Sequence, residues 1–210
     1  AMTSASWFAD QLQEGHVVLI EGFSGHPANE YRMSGVHEVF EDYPGINVLA
    51  SETGSWDEAT GQQVMADFLA AYPDLDGYWT QDGMAIGALQ AVMAANPAEW
   101  PQGVGEGRCQ FLHLWEEALT INPDFDSIAV ANHPGVSPTG LRIAVHMLQG
   151  KEVDGTTLGG VNGLSFVLPV AAVITSDNLD EGLAMCDGKP DAFLLDDILS
   201  DQEVLDAYFK

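Results

Sequence analysis

Basic residues are what this 210-residue sequence has least of: six Lys plus Arg stand against 32 Asp plus Glu, a net charge of −26. Phosphate recognition needs Lys and Arg, so nucleic acid is excluded as a partner, and an anionic membrane surface with it. The charge keeps a protein monodisperse and dictates no fold. An acidic, lysine-poor surface also suits a salty habitat. Cysteine is scarce too. Cys109 and Cys186 sit in no metal-binding spacing, and an oxidising compartment would permit a bond between them. The expectation is two unpaired, buried thiols. Long apolar runs are missing: the longest, residues 164–174, is short and broken by Ser165 and Pro169. Residues 1–7 have neither the basic region nor the apolar stretch of a secretion signal, and Ala1-Met2 reads as a residue ahead of an internal start.

Chemical motifs are absent as well. The sequence has no Gly-x-Gly-x-x-Gly, no Walker loop and no Gly-x-Ser-x-Gly elbow. Its histidines, at 16, 26, 37, 113, 133 and 146, form no His-Glu-x-x-His arrangement. Asp74-Leu75-Asp76-Gly77 lacks the remaining ligands of a calcium loop and reads as a turn. No catalytic residue, metal or cofactor is therefore assigned, and the many carboxylates read as a solvated surface.

What is present is alternation. An apolar fraction of 46% supports a substantial core. Short apolar runs at 16–20, 46–50, 78–80, around 104 and at 127–131 read as strands. Amphipathic stretches from Pro27, after Asp57, at 83–95, at 110–118 and at 138–148 read as helices between them. Residues 4–12 form an opening helix. The tail is less regular: one or two strands in 164–174, a short helix at 177–185, and an acidic helix at 201–209 capped by Ser200. This alternation predicts an α/β three-layer sandwich with a mostly parallel sheet and right-handed crossovers. Ligands of such sheets bind beyond the carboxyl ends of the strands. Five loops follow predicted strands: 23–27, 51–57, 81–83, 106–109 and 132–135.

Those loops, with the helix after the first, carry Arg32, Trp56, Gln81, Asp82, Glu106, Arg108 and Asn132. Such residues suit a polyhydroxy ligand. Arg offers a fork of donors, carboxylates accept, amides do both, and an indole gives a platform for C–H faces. Each also has a structural reading. Arg32 could lie on a helix surface, Trp56 could cap the core, and Asn132 before His133-Pro134 could be turn chemistry. Gln81 and Asp82 could cap the next helix, Asp82 above all. Phe23 and His26 read as loop packing.

Several segments together resemble the ribose-type periplasmic sugar-binding proteins of ABC importers (type I periplasmic binding proteins). They are Val17-Val18-Leu19-Ile20-Glu21-Gly22 with Ala28-Asn29-Glu30-Tyr31-Arg32-Met33-Ser34-Gly35-Val36, then Val64-Met65-Ala66-Asp67-Phe68-Leu69 through Gly77. Gln81-Asp82-Gly83-Met84-Ala85-Ile86-Gly87-Ala88-Leu89 is the most specific, and Leu148-Gln149-Gly150-Lys151-Glu152-Val153 closes the match. The resemblance covers residues 7 to about 153. It implies a periplasmic-binding-protein-like type I fold whose amino-terminal lobe is largely absent. Residues 3–131 would be the carboxy-terminal ligand-binding lobe, 132–163 a segment normally part of the other lobe, and 164–210 a tail returning to the first.

The resemblance also implies ligand-binding roles. Arg32 would grip hydroxyls, Trp56 would stack on the sugar ring, and Gln81 would contact the ligand. Glu106 would be the acidic contact, although Gly105-Glu106-Gly107-Arg108 replaces the usual Gly-Phe-Asp. Asn132 would lie at a lobe crossing. The implied function is capture of a sugar or polyol and delivery to an ABC permease by hinge closure, without bond chemistry. The implied location is periplasmic, or extracellular and lipid-anchored. An alternative is the effector-binding domain of a lactose-repressor-type transcription regulator. The helix carrying Leu141, Val145 and Leu148 would lack its usual sheet, which raises the possibility of a homodimer covering it.

Overall fold

In the computed structural model, which describes residues 1–160 and 162–210, the chain alternates helix and strand through its first two thirds. The order is α1 (Met2–Leu12), β1 (Glu14–Glu21), α2 (Pro27–Glu41), β2 (Gly45–Thr53), α3 (Glu58–Ala71), β3 (Gly77–Thr80), α4 (Met84–Ala95), β4 (Gln102–Glu106), α5 (Cys109–Ile121), β5 (Ser127–Val130) and α6 (Val136–Leu148). The tail adds β6 (Leu158–Gly159), β7 (Ser165–Phe166), β8 (Val173–Ile174), α7 (Leu179–Met185) and α8 (Asp201–Tyr208). The main sheet runs β2-β1-β3-β4-β5-β8. All its pairings are parallel except β5 with β8.

The centre of β1 shows why the sheet is covered on both faces. Val17, Val18, Leu19 and Ile20 are all fully buried, as in a strand with helices above and below. Successive side chains alternate sides. Val17 and Leu19 pack with Phe8 of α1 and Met33, Val36 and Phe40 of α2. Val18 and Ile20 pack with Met65 and Phe68 of α3 and Met84 and Val92 of α4. Helices α3 and α4 approach very closely. A Cβ on Gly87 would lie 2.0 Å from the Glu58 carbonyl oxygen, so only glycine fits. Local signals fix the helix starts. Pro27 opens α2, and Asp57 caps α3 by accepting from Thr60 N–H at 2.8 Å. Ser200 and Glu203 form a capping box on α8.

The tail folds back onto the sheet. Strand β8 pairs with β5, and Leu179 and Leu195 join the cluster around Phe111, Leu112 and Trp115 of α5. Main-chain bonds from Cys109 and Gln110 to Phe193 and Asp191 tie 191–195 beside the start of α5. This overturns the expectation of free thiols: Cys109 and Cys186 are disulfide-bonded across a sequence separation of 77. Cys109 opens α5 and Cys186 ends α7, and the packing of α7 on α5 joins them, which local sequence could not reveal. Helix α6 packs on the tail through its other side. It buries Thr139 and Ile143, and Ile143 packs with Val204, Tyr208 and Phe209 around α8. The expected stripe of Leu141, Val145 and Leu148 is exposed.

Candidate functional site

The carboxyl ends of β3, β4 and β5 enclose a cavity of about 150 Å³, lined by Arg32, Thr80, Gln81, Asp82, Glu106 and Asn132 among others. Four of the five residues singled out from sequence thus converge: Arg32 from α2, Gln81 just after β3, Glu106 ending β4, and Asn132 just after β5. Trp56 does not line the cavity. It lies behind Gln81, with its indole over Gly22, where a Cβ would sit 2.2 Å from the ring. Phe23 and His26 meet this indole edge-on, at 5.3 and 5.0 Å between ring centroids.

Gln81 is the hub of the network behind the cavity. Its Oε1 accepts from Trp56 Nε1 at 2.9 Å and from Arg32 Nη1 at 3.1 Å. Its Nε2 donates to Asn29 Oδ1 at 2.8 Å. Asn29, fully buried in the first turn of α2, also accepts from Gly22 N–H at 2.8 Å and donates to Glu21. Both polar ends of the Gln81 amide are therefore engaged by protein. Trp56 sits close to the Arg32 guanidinium, whose Cζ is 5.8 Å from the ring centroid. Trp56 and Gln81 thus hold Arg32 in place.

Asp82 is the residue that sequence reasoning undervalued. Its φ is 51°, and the N-cap of α4 is Gly83 with no side-chain capping bond. Instead of capping the helix, the Asp82 carboxylate accepts from Arg32 Nη1 at 2.6 Å and from Asn132 Nδ2 at 3.2 Å. It joins α2 to the segment after β5. The signal in the sequence was its place at the end of β3, the location that also selected Gln81.

Glu106 is the buried acid of the site, its side chain 3% exposed. Loss of solvation on burial dominates and pushes its carboxyl from 4.5 up to about 7. Asp82 adds to the rise, while Arg108 and Arg32 oppose it. Arg108 Nε lies 2.8 Å from Glu106 Oε2, but its N–H is not aimed at the oxygen. Near neutral pH, Glu106 can therefore either accept or donate a hydrogen bond. Among the described residues, no group of three or more His, Cys, Asp or Glu could hold a metal ion.

The ends of parallel strands, together with α2, thus place a guanidinium, two carboxylates and amides around one small cavity. Residues 1–152 match the family of periplasmic binding protein domains, and the chain belongs to that family. It is 28% identical over 179 residues to a xylitol-binding protein of Mycolicibacterium smegmatis, which covers 82% of this chain and 46% of the relative. It is 33% identical over 98 residues to a ribose import binding protein of Salmonella typhimurium, covering 46% of this chain and 33% of the relative. Its fold is similar to that of an ABC transporter solute-binding protein from Thermobispora bispora, with a TM-score of 0.74 at 18% identity. That similarity covers 98% of this chain and 60% of the other. The chain thus spans less than half the length of these curated relatives.

Proposed function

We propose that this chain binds a sugar or polyol at the Arg32–Glu106 cavity, as the ligand-capturing part of an ABC import system that delivers to a membrane permease. The observation that carries the reading is the convergence of Arg32, Asp82, Glu106 and Asn132 on one cavity at the strand ends. Each hydroxyl of a polyol both donates and accepts, and this set answers both needs. Both hydrogen bonds from Arg32 use Nη1, so the rest of its fork can turn to a ligand. Asp82 and Asn132 hold each other until a hydroxyl inserts. Gln81 and Trp56 act through Arg32 in this reading: they set its position.

Residues 3–131 form the ligand-binding lobe in this proposal, 132–163 belong with the crossing toward a second lobe, and 164–210 return along the first. Capture works by closure of two bodies on the ligand. It needs no cofactor and breaks no bond. A periplasmic or extracellular location is supported by the Cys109–Cys186 disulfide, since such bonds persist in oxidising compartments. The test is a thermal-shift screen against pentoses, hexoses and polyols, because a ligand that binds only the folded state raises the midpoint by mass action. A rise with at least one compound, lost in Arg32→Ala, is expected. A rise that survives in Arg32→Ala, or no rise with any compound at millimolar concentration, would sink the proposal for this chain.

A further inference from the structure

The tail segment 191–196 lies across two of the loops that shape the cavity. At the first loop, Leu194 bridges Arg108 in antiparallel pairing. Leu195 N–H donates to the Gly107 carbonyl at 2.7 Å, and the Cys109 and Gln110 N–H groups donate to the Phe193 and Asp191 carbonyls at 2.9 Å each. These bonds start directly after Glu106, the last residue of β4. Leu195 is fully buried, and the Cys109–Cys186 disulfide anchors the chain leading into the segment. Asp196 then turns to the second loop. Its Oδ1 accepts from Gly135 N–H at 2.8 Å and lies 2.8 Å from His133 Nδ1. His133 directly follows Asn132, whose Nδ2 donates to Asp82. The fit leaves no slack. A Cβ on Gly135 would lie 2.4 Å from Asp196 Oδ1 and 2.1 Å from the Asp197 carbonyl oxygen. A Cβ on Gly107 would lie 2.8 Å from Ala131 Cα, so the two loops also press on each other.

We infer that residues 191–196 are a strap that sets the two loops carrying Glu106 and Asn132, and that Asp196 is the positioning residue for Asn132. Asp196 does not line the cavity. It acts through the loop that it grips, and its carboxylate makes the stronger, charge-assisted kind of hydrogen bond. The contact joins positions 61 residues apart, so it is tertiary structure and not local turn chemistry that fixes this loop. A binding site works when its contact groups are held in place by a supporting layer. A ligand that must itself order Asn132 bears the cost of immobilising one side chain, which weakens binding by about three- to tenfold. A strap that orders Asn132 beforehand removes that cost. The effect on affinity rests on the sugar-binding reading, whereas the effect on Asn132 stands without it.

The test compares Asp196→Ala, Asp196→Glu and Asp196→Asn with the wild type, by ¹⁵N spectra without ligand and by titration with xylitol and D-ribose. The first change deletes the acceptor. The second keeps charge and acceptor but adds a methylene where Gly135 leaves no room. The third keeps both the acceptor and the size. The Asn132 side-chain amide should shift and exchange faster with water in Asp196→Ala and Asp196→Glu, and return close to its wild-type position in Asp196→Asn, while the amides of β1 stay protected. Affinity for whichever compound binds should fall about three- to tenfold in the first two and recover in the third. An Asn132 amide unmoved in both Asp196→Ala and Asp196→Glu overturns the inference. So does exchange that accelerates throughout the chain, which would make the contact a support of the whole fold, and so does an unchanged affinity where the Asn132 amide has moved. Where Asp196→Ala does not fold, Asp196→Glu decides alone. A wild type that binds neither compound counts against the sugar reading, and the ligand-free spectra then decide the strap.

Discussion

Replacing Glu106 with Gln tests whether the buried acid shapes stability in the way its surroundings require. The folded-state value lies near 7 against 4.5 for the free side chain. A raised carboxyl stabilises the fold in its protonated form. That contribution is complete below the unfolded value and is lost as pH climbs through the folded one. At about 1.36 kcal/mol per unit, the wild type should lose about 2.5 kcal/mol from this group between pH 5 and pH 8. The other carboxylates also repel more strongly as they ionise, so the wild-type curve alone does not isolate Glu106. The amide of Gln fills the same space and does not titrate, so the variant supplies the baseline. Urea unfolding of both proteins at pH 5, 6, 7 and 8 gives the comparison. The stability of Glu106→Gln relative to wild type should rise by about 2.5 kcal/mol across that range. A constant difference would mean that Glu106 is ionised throughout, held by Arg108, and that burial does not dominate its environment.

Other perturbations reach the supporting structure. Trp56→Phe removes the Nε1–H donor to Gln81 and should cost about 1 kcal/mol in urea unfolding, the usual worth of one such bond. Gly22→Ala puts a methyl 2.2 Å from the Trp56 ring; overpacking of this kind should cost about 2 kcal/mol or more and shift the indole fluorescence. Cys186→Ser opens a loop of 77 residues and should lower stability by about 4 kcal/mol. A reductant should match that loss in the wild type and leave the variant unmoved. Raising salt from about 0.1 to 1 M shortens the screening length from about 10 to 3 Å. With a net charge of −26, the melting temperature should climb, and a fall would show that ion pairs such as Arg32–Asp82 outweigh surface repulsion.

The layered fold was legible because the core of β1 is four apolar residues in a row and the helices around it repeat their apolar positions at helical spacing. Strand ends then select loops, and loops select Gln81, Glu106 and Asn132, which line one cavity with Arg32 of α2, a residue singled out by the family resemblance. Two things stayed hidden, for different reasons. Side-chain direction is not written in residue type. Asp82 looked like a helix cap, but its backbone turns it toward Arg32 and Asn132. The Trp56 indole packs over Gly22 and donates to Gln81, a placement that residue type does not encode. Long-range return of the chain is the other. The pairing of Cys109 with Cys186 depends on α7 reaching α5, a contact set by irregular tail segments with little periodicity to read. For the same reason the partner of α6 was missed: Ile143 faces α8, and the stronger-looking stripe faces out.

The most direct measurement of the central claim is a titration of xylitol and D-ribose into uniformly ¹⁵N-labelled protein, followed through amide, indole and guanidinium resonances. Binding at the cavity predicts concentration-dependent shifts confined to Arg32, Trp56 Nε1–H, Gln81, Asp82, Glu106 and Asn132, and their loss in Arg32→Ala. Unmoved spectra with both compounds at tens of millimolar, or shifts gathered elsewhere on the molecule, would contradict it.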